Sequence, residues 1–190
     1  MDSMRSLLST SDFLQVREHK LSNDLTVWLN EDHSQPKIFG AVVVKAGAKD
    51  SPNTGIAHYF EHMMFKGTIK RGFEKLNDDL ESLGGEYNAY TDYSITVYSI
   101  SCLEEELGNA IELLGDMVTN SVFLKEEIEK ERGVILAEMK ASMDSVEDLS
   151  FKRVNEIAFE KSCLRYDVAG TEKNVKKFTR KDLISYYEKH

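Results

Sequence analysis

The hydrophobic pattern changes period part-way along the chain, and this change restricts the fold more than any single residue does. Up to about residue 44, apolar positions fall in short runs and alternations, the spacing of strands; from about residue 103 they recur every three or four, the spacing of helices. The pattern predicts strands over 13–18, 25–29 and 39–44, with Ser22-Asn23-Asp24 as the turn between the first two and the third apolar enough to be central. A loop over 47–55 then leads into a helix over 56–65 and a second over 74–83, which Gly84-Gly85 ends. Residues 86–90 and 94–101 alternate and carry Tyr, Ile, Thr and Val, so they read as a strand pair turning near Thr91-Asp92. Helices are expected over 103–120, 125–143, 146–160 and from 179 onward, with Thr179 as N-cap. Strands followed mostly by helices specify an α+β fold: a largely antiparallel sheet with helices packed on one face.

Length and composition narrow the setting. The 190 residues contain two prolines, Pro36 and Pro52, and no low-complexity stretch or repeat, so a single domain over 1–190 is expected. A formal charge of -9 without a Lys/Arg cluster argues against nucleic acid as a partner, because phosphate binding needs a concentrated basic face. No apolar run approaches the roughly 18 to 20 residues of a membrane helix, and Met1-Asp2-Ser3-Met4-Arg5 has no apolar signal core. As written, the chain reads as soluble and cytoplasmic, with no membrane partner. Cys102 and Cys163 lack disulfide-scaffold or metal spacing and read as buried thiols, compatible with a reducing compartment.

Chemistry concentrates in His58-Tyr59-Phe60-Glu61-His62. Residues four apart share a helix face, so two imidazoles at this spacing can chelate one ion. At about 100° per residue, His58, Glu61, His62 and Phe65 occupy about one third of the circle, opposite Ile56, Phe60, Met63 and Met64. An apolar back with two histidines and a carboxylate in front suits the wall of a cleft. Catalytic zinc usually takes three protein ligands and leaves a position for water, so a further ligand must come from elsewhere.

The glutamate-rich helix over 125–143 is the source to test. Ile128, Ile135 and Met139 define its buried stripe; Glu131 and Glu138 lie roughly 60° to 80° to one side with Val134 beyond them, while Glu129 and Lys130 point away. Carboxylates at the edge of an apolar stripe are costly to desolvate unless a cation or hydrogen bonds compensate. Seven residues apart, the two share a face, so one can ligate while the other orients a ligating histidine. Glutamates on helices are usually solvated, and an isolated His-x-x-Glu-His is often a surface helix. His19, His33 and His190 have no partner at ligand spacing and read as surface residues.

The order His-x-x-Glu-His is the inverzincin signature. Gly55-Ile-Ala-His58-Tyr-Phe-Glu61-His62-Met-Met-Phe65-Lys-Gly67-Thr68 resembles the motif of the family that contains pitrilysin, insulin-degrading enzyme and mitochondrial processing peptidase. Glu131-Arg-Gly-Val-Ile-Leu-Ala-Glu138 is similar to the family's distal Glu-x6-Glu pair, and Gly84-Gly85-Glu-Tyr-Asn88-Ala89-Tyr90-Thr91 to a third segment. The resemblance implies a zinc metalloendopeptidase in which His58, His62 and Glu138 hold Zn2+, Glu61 is the base, and Glu131 supports a ligating histidine. It also implies that peptide substrates add as a strand beside Asn88, Ala89 and Tyr90, with Phe65 lining an apolar subsite.

Family enzymes are typically two homologous halves or partner subunits around a chamber, so the resemblance further implies a second half or subunit. It leads to the expectation that a strand after the last helix is missing or supplied by a partner. The alternative it carries is a non-catalytic or partner-dependent subunit of such a complex; those members have usually lost ligands, and none is lost here.

Overall fold

A computed structural model describes residues 16–190, which fall into two compact units divided between Pro36 and Lys37. In the first, β1 (Val16–Lys20) and β2 (Thr26–Asn30) form an antiparallel hairpin with Val16 opposite Asn30 and Lys20 opposite Thr26. The turn holds Asp24 at a φ of 66°, a conformation that Asp adopts more readily than most residues. Trp28 Nε1 donates to Glu18 Oε2 across the pair at 2.8 Å. Of the strand expected over 13–18, residues 13–15 lie outside the described residues.

The second unit is an antiparallel three-stranded sheet in the order β3-β5-β4, formed by β3 (Lys37–Val44), β4 (Glu86–Thr91) and β5 (Thr96–Leu103). One sheet face is covered. On β3, Ile38, Val42 and Val44 are half-buried while Phe39 and Val43 are exposed; on β4, Tyr87, Ala89 and Thr91 are half-buried while Asn88 and Tyr90 are exposed. The register sets these inward rows against Thr96, Tyr98, Ile100 and Cys102 of β5, all buried. The reading of 39–44 as a central strand is therefore corrected: among the described residues β5 is central and β3 an edge. An apolar run cannot separate the two positions, because β3 alternates in burial once its covered face is known.

The helices are α1 (Ile56–Met63), α2 (Phe73–Ser82), α3 (Leu107–Asn120), α4 (Lys125–Asp144), α5 (Val146–Ala158), the short α6 (Glu172–Val175) and α7 (Arg180–Lys189). Helix α3 lies against β3 and β5, and α1 against β4, α4 and α7. The core fills from Tyr59, Met63, Leu80, Ile100, Met117 and Ile135, each with almost no exposed surface. Gly84, with a φ of 64°, follows α2 where the paired glycines predicted its end. Thr179 caps α7 by accepting from the Asp182 amide while Asp182 accepts in return, a reciprocal capping box. The one-turn α6 escaped the periodicity reading because four residues carry too little pattern.

Cys102 is buried, but Cys163 is exposed, correcting its reading as a buried thiol: it lies in a short 3-10 turn (Cys163–Arg165) rather than in the helix pattern that precedes it. Among the described residues, no helix is long and apolar enough to cross a membrane.

Candidate metal centre and cleft

Helix α1 puts its apolar back into the core through Ile56, Tyr59, Phe60 and Met63, which turns His58 and His62 outward as half-buried side chains. The two rings stand edge to face with centroids 4.7 Å apart. Helix α4 crosses in front of them. Glu138 Oε2 lies 3.8 Å from His58 Nε2 and 3.5 Å from His62 Nε2. One ligand atom from each of the three residues lies within 4.8 Å of the other two. Around a tetrahedral ion with bonds of about 2.0 to 2.1 Å, neighbouring ligand atoms sit about 3.3 to 3.4 Å apart. The contacts from Glu138 to both imidazoles are about 0.1 to 0.5 Å longer than that, so the donor set would fit such an ion after a small inward shift of the three side chains.

The two carboxylates of α4 have different environments. Glu131 is buried; Oε2 meets His62 Nδ1 at 3.1 Å and Oε1 meets Lys66 Nζ at 2.7 Å. Glu138 is exposed, with 53% of its side-chain surface open, and so is Val134. The desolvation argument from the sequence therefore applies to Glu131 and not to Glu138, because Val134 does not close an apolar flank around them. The expected stripe itself is present, with Ile128 and Ile135 buried and Met139 half-buried.

Glu61 is the buried carboxylate of α1, and its Oε2 accepts from Thr91 Oγ1 at 2.5 Å. Thr91 closes β4, and the alternation that turns Tyr87 and Ala89 inward turns Thr91 onto α1 as well. Burial raises the Glu61 carboxyl above its ordinary range against the lowering effects of Thr91 and His62. Burial also lowers His58, assisted by its neighbour His62. For His62 burial pulls the same way, yet Glu131, Glu138 and Glu61 outweigh it and raise the ring overall. Burial would raise Glu131, but the hydrogen bonds from His62 and Lys66 hold it below its ordinary value. The carboxylates thus favour positive charge at His62, while burial opposes it at His58. His58 Nδ1 is buried with no hydrogen-bond partner.

A cleft of about 520 Å³ opens beside these groups, lined by His58, Glu61 and Glu138 on one side and by Phe151, Asn155 and Tyr166 on the other. Ala89, Tyr90 and Thr91 form part of its rim. Its far wall comes from α5 and residues 165–169, which the sequence reading did not connect to the site. Thr91 was also missed as a site residue; the strand alternation was the signal that could have found it. Asn88 lies one residue before this rim, exposed, with its side-chain oxygen accepting from the Ala89 amide. Phe65 is not among the cleft-lining residues; its ring packs 6.0 Å from Tyr87 and 6.4 Å from Tyr98 behind β4.

An antiparallel sheet covered on one face, with the histidine helix and the glutamate helix meeting beside its edge strand, defines an α+β fold with a candidate metal centre at the sheet edge. The chain belongs to the insulinase family, peptidase family M16, whose model matches residues 26–172. It is 33% identical over 173 residues to an uncharacterized zinc protease of Rickettsia felis, covering 90% of this chain and 42% of that protein. It is 36% identical to the mitochondrial-processing peptidase subunit beta of Bos taurus, covering 93% of this chain and 36% of that subunit. The crystal structure of a protease from Helicobacter pylori superposes with a TM-score of 0.87 at 23% identity, covering 92% of this chain and 43% of that one. The chain thus spans about two fifths of the length of these proteins.

Proposed function

We propose that the chain carries the site of a zinc metalloendopeptidase, with His58, His62 and Glu138 holding Zn2+ and Glu61 acting as the base. The observation that carries this reading is the convergence of both Nε2 atoms on Glu138 Oε2 at spacings a small inward shift away from those of a tetrahedral ion, beside a buried carboxylate that stands outside the donor set. Zinc held there would supply Lewis acidity, polarising a peptide carbonyl and making water acidic near neutral pH.

The chain's own groups do the rest. Glu61 takes a proton from the attacking water onto its carboxylate and returns it to the leaving amine. Thr91 fixes Glu61 Oε2, which leaves the other oxygen to face the cleft chemistry. Glu131 Oε2 lies on His62 Nδ1, which leaves Nε2 as the nitrogen that would hold the ion together with Glu138.

Strand β4 is an edge of the three-stranded sheet and borders the cleft, so an extended peptide can pair with its main chain beside Asn88, Ala89 and Tyr90. Recognition through main-chain bonds tolerates many sequences, which suits peptides and small unfolded proteins as substrates. Phe65 serves this reading as support beneath β4 rather than as a wall of the cleft. The cleft is open on the described unit, and a second homologous half or subunit would complete a chamber around it.

The test is zinc content and cleavage of a quenched fluorescent peptide mixture, with Glu61→Gln in parallel. Chelator-sensitive cleavage, absent in a variant that keeps its zinc, is the expected result. A wild-type protein that neither purifies with zinc nor takes it up overturns the reading.

A further inference from the structure

Lys66 lies one helical turn beyond His62. The chain after α1 keeps turning through the amides of Phe65 and Lys66, which donate to His62 O at 3.4 Å and Met63 O at 3.1 Å. The Lys66 side chain therefore points along the same side as His62, toward α4. Its ammonium reaches Glu131 Oε1 at 2.7 Å and lies 4.8 Å over the Phe73 ring, so a contact on each side fixes its place. Only 17% of the Lys66 side chain and 7% of the Glu131 side chain are exposed.

A buried carboxylate with both oxygens engaged has one orientation; with one oxygen free it has several, and the free oxygen carries a desolvation cost. Glu131 also stands two turns from Glu138 on the same helix face, so when released it can rotate away from His62 or toward the ion. We infer that Lys66 is a positioning residue for the metal centre, holding Oε1 of Glu131 so that Oε2 stays on His62 Nδ1 and the carboxylate stays out of the ligand set. This inference rests on the zinc reading above and adds to it a residue that does not touch the ion.

Lys66 has a second, opposite effect: its positive charge repels a bound cation through space. Simple removal mixes the two effects. A double-mutant cycle separates them, because the repulsion is present whichever residue stands at 131 while the clamp acts only through the carboxylate.

Zinc affinity is measured by competition with a chromophoric chelator for wild type, Lys66→Met, Glu131→Gln and the double variant, with Lys66→Arg as the charge- and donor-retaining control. The expected result is a coupling of about tenfold, at the lower end of the cost of losing an outer-shell partner. Lys66→Met should be that much more harmful beside Glu131 than beside Gln, and Lys66→Arg should remain near wild type. In the metal-free protein, the His62 Nδ1 proton should be protected from solvent exchange by NMR, lose that protection in Lys66→Met and regain it in Lys66→Arg.

An additive cycle with unchanged His62 protection overturns the role of Lys66 while leaving the zinc reading intact. Absence of zinc binding by the wild type overturns both.

Discussion

Glu61 on α1 and Thr91 at the end of β4 are joined by a 2.5 Å hydrogen bond, which ties the proposed base to the strand proposed to carry substrate. The bond fixes one carboxylate oxygen of Glu61, and both residues line the cleft. Thr91→Val keeps the shape of the side chain and removes its hydroxyl. It should lower kcat for peptide cleavage by about tenfold, a fraction of what a general base contributes, with zinc content unchanged. Thr91→Ser should restore most of the rate. Equal loss in both variants would mean that Thr91 acts through packing rather than through its hydroxyl.

The two glutamates of α4 should separate by experiment as they do by environment. Glu138 is exposed and near both imidazoles, whereas Glu131 is buried and its carboxylate pairs with His62 and Lys66. Glu138→Gln should lose zinc at concentrations that saturate the wild type. Glu131→Gln should still bind, with affinity lowered by about 10- to 100-fold. Chelator competition reads both, and the reverse ranking would exchange the two assignments.

The fold class and the facing of the two histidines and two glutamates were legible in the sequence because they follow from periodicity, whereas the choice of Glu138 over Glu131 as the ligand came only with the family resemblance. His58 and His62 are one turn apart, Glu131 and Glu138 two turns apart, and each pair faces one way on any regular helix. Long-range partnerships were not legible. Alternation along β4 turns Thr91 inward, but nothing local told that its partner there would be Glu61, 30 positions away, or that α5 and residues 165–169 would wall the cleft. The place of 39–44 in the sheet failed for the same reason, since edge or centre is decided by which strand returns beside it.

Away from the metal centre, Arg71 gathers three carboxylates: Asp79 at 2.9 Å, Glu112 at 2.6 Å and the buried Asp116 at 2.6 Å. It thereby pins the loop before α2 to α3. Burial would raise Asp116, but hydrogen bonds from Thr68, Asn120 and Arg71 hold it below the ordinary aspartate value of 3.8. A carboxylate depressed in the folded state gives stability that is present above its unfolded value and lost as pH falls through the folded one. Arg71→Met leaves Asp116 charged and poorly paired, so at pH 7 it should cost about 3 to 5 kcal/mol in urea unfolding. The gap from wild type should narrow as pH falls below about 4, where unfolded aspartate takes up its proton. A gap constant from pH 7 to pH 3 would show that the ion pairs contribute nothing to stability.

Residues 165–169 of the cleft's far wall lead into a close crossing of two glycines. Gly55, at the start of α1, and Gly170 both have positive φ, 95° and 80°, and a Cβ on Gly170 would lie 2.3 Å from Thr54 O and 2.5 Å from Gly55 Cα. Backbone cannot yield as a flexible side chain can, so residues 165–169 must move away from α1 if a methyl group is placed there. Gly170→Ala should therefore cost more than the 1 to 3 kcal/mol of a strained backbone position alone, and it should widen the cleft beside His58. The wall carries none of the proposed zinc donors, so the variant should keep its zinc affinity while KM for peptides rises more than kcat falls. Gly133→Ala, on α4 where a Cβ meets nothing within 4 Å, is the matched control and should be neutral or slightly stabilising. If Gly170→Ala unfolds in urea at the same midpoint as that control, the close crossing of the two segments does not hold in solution.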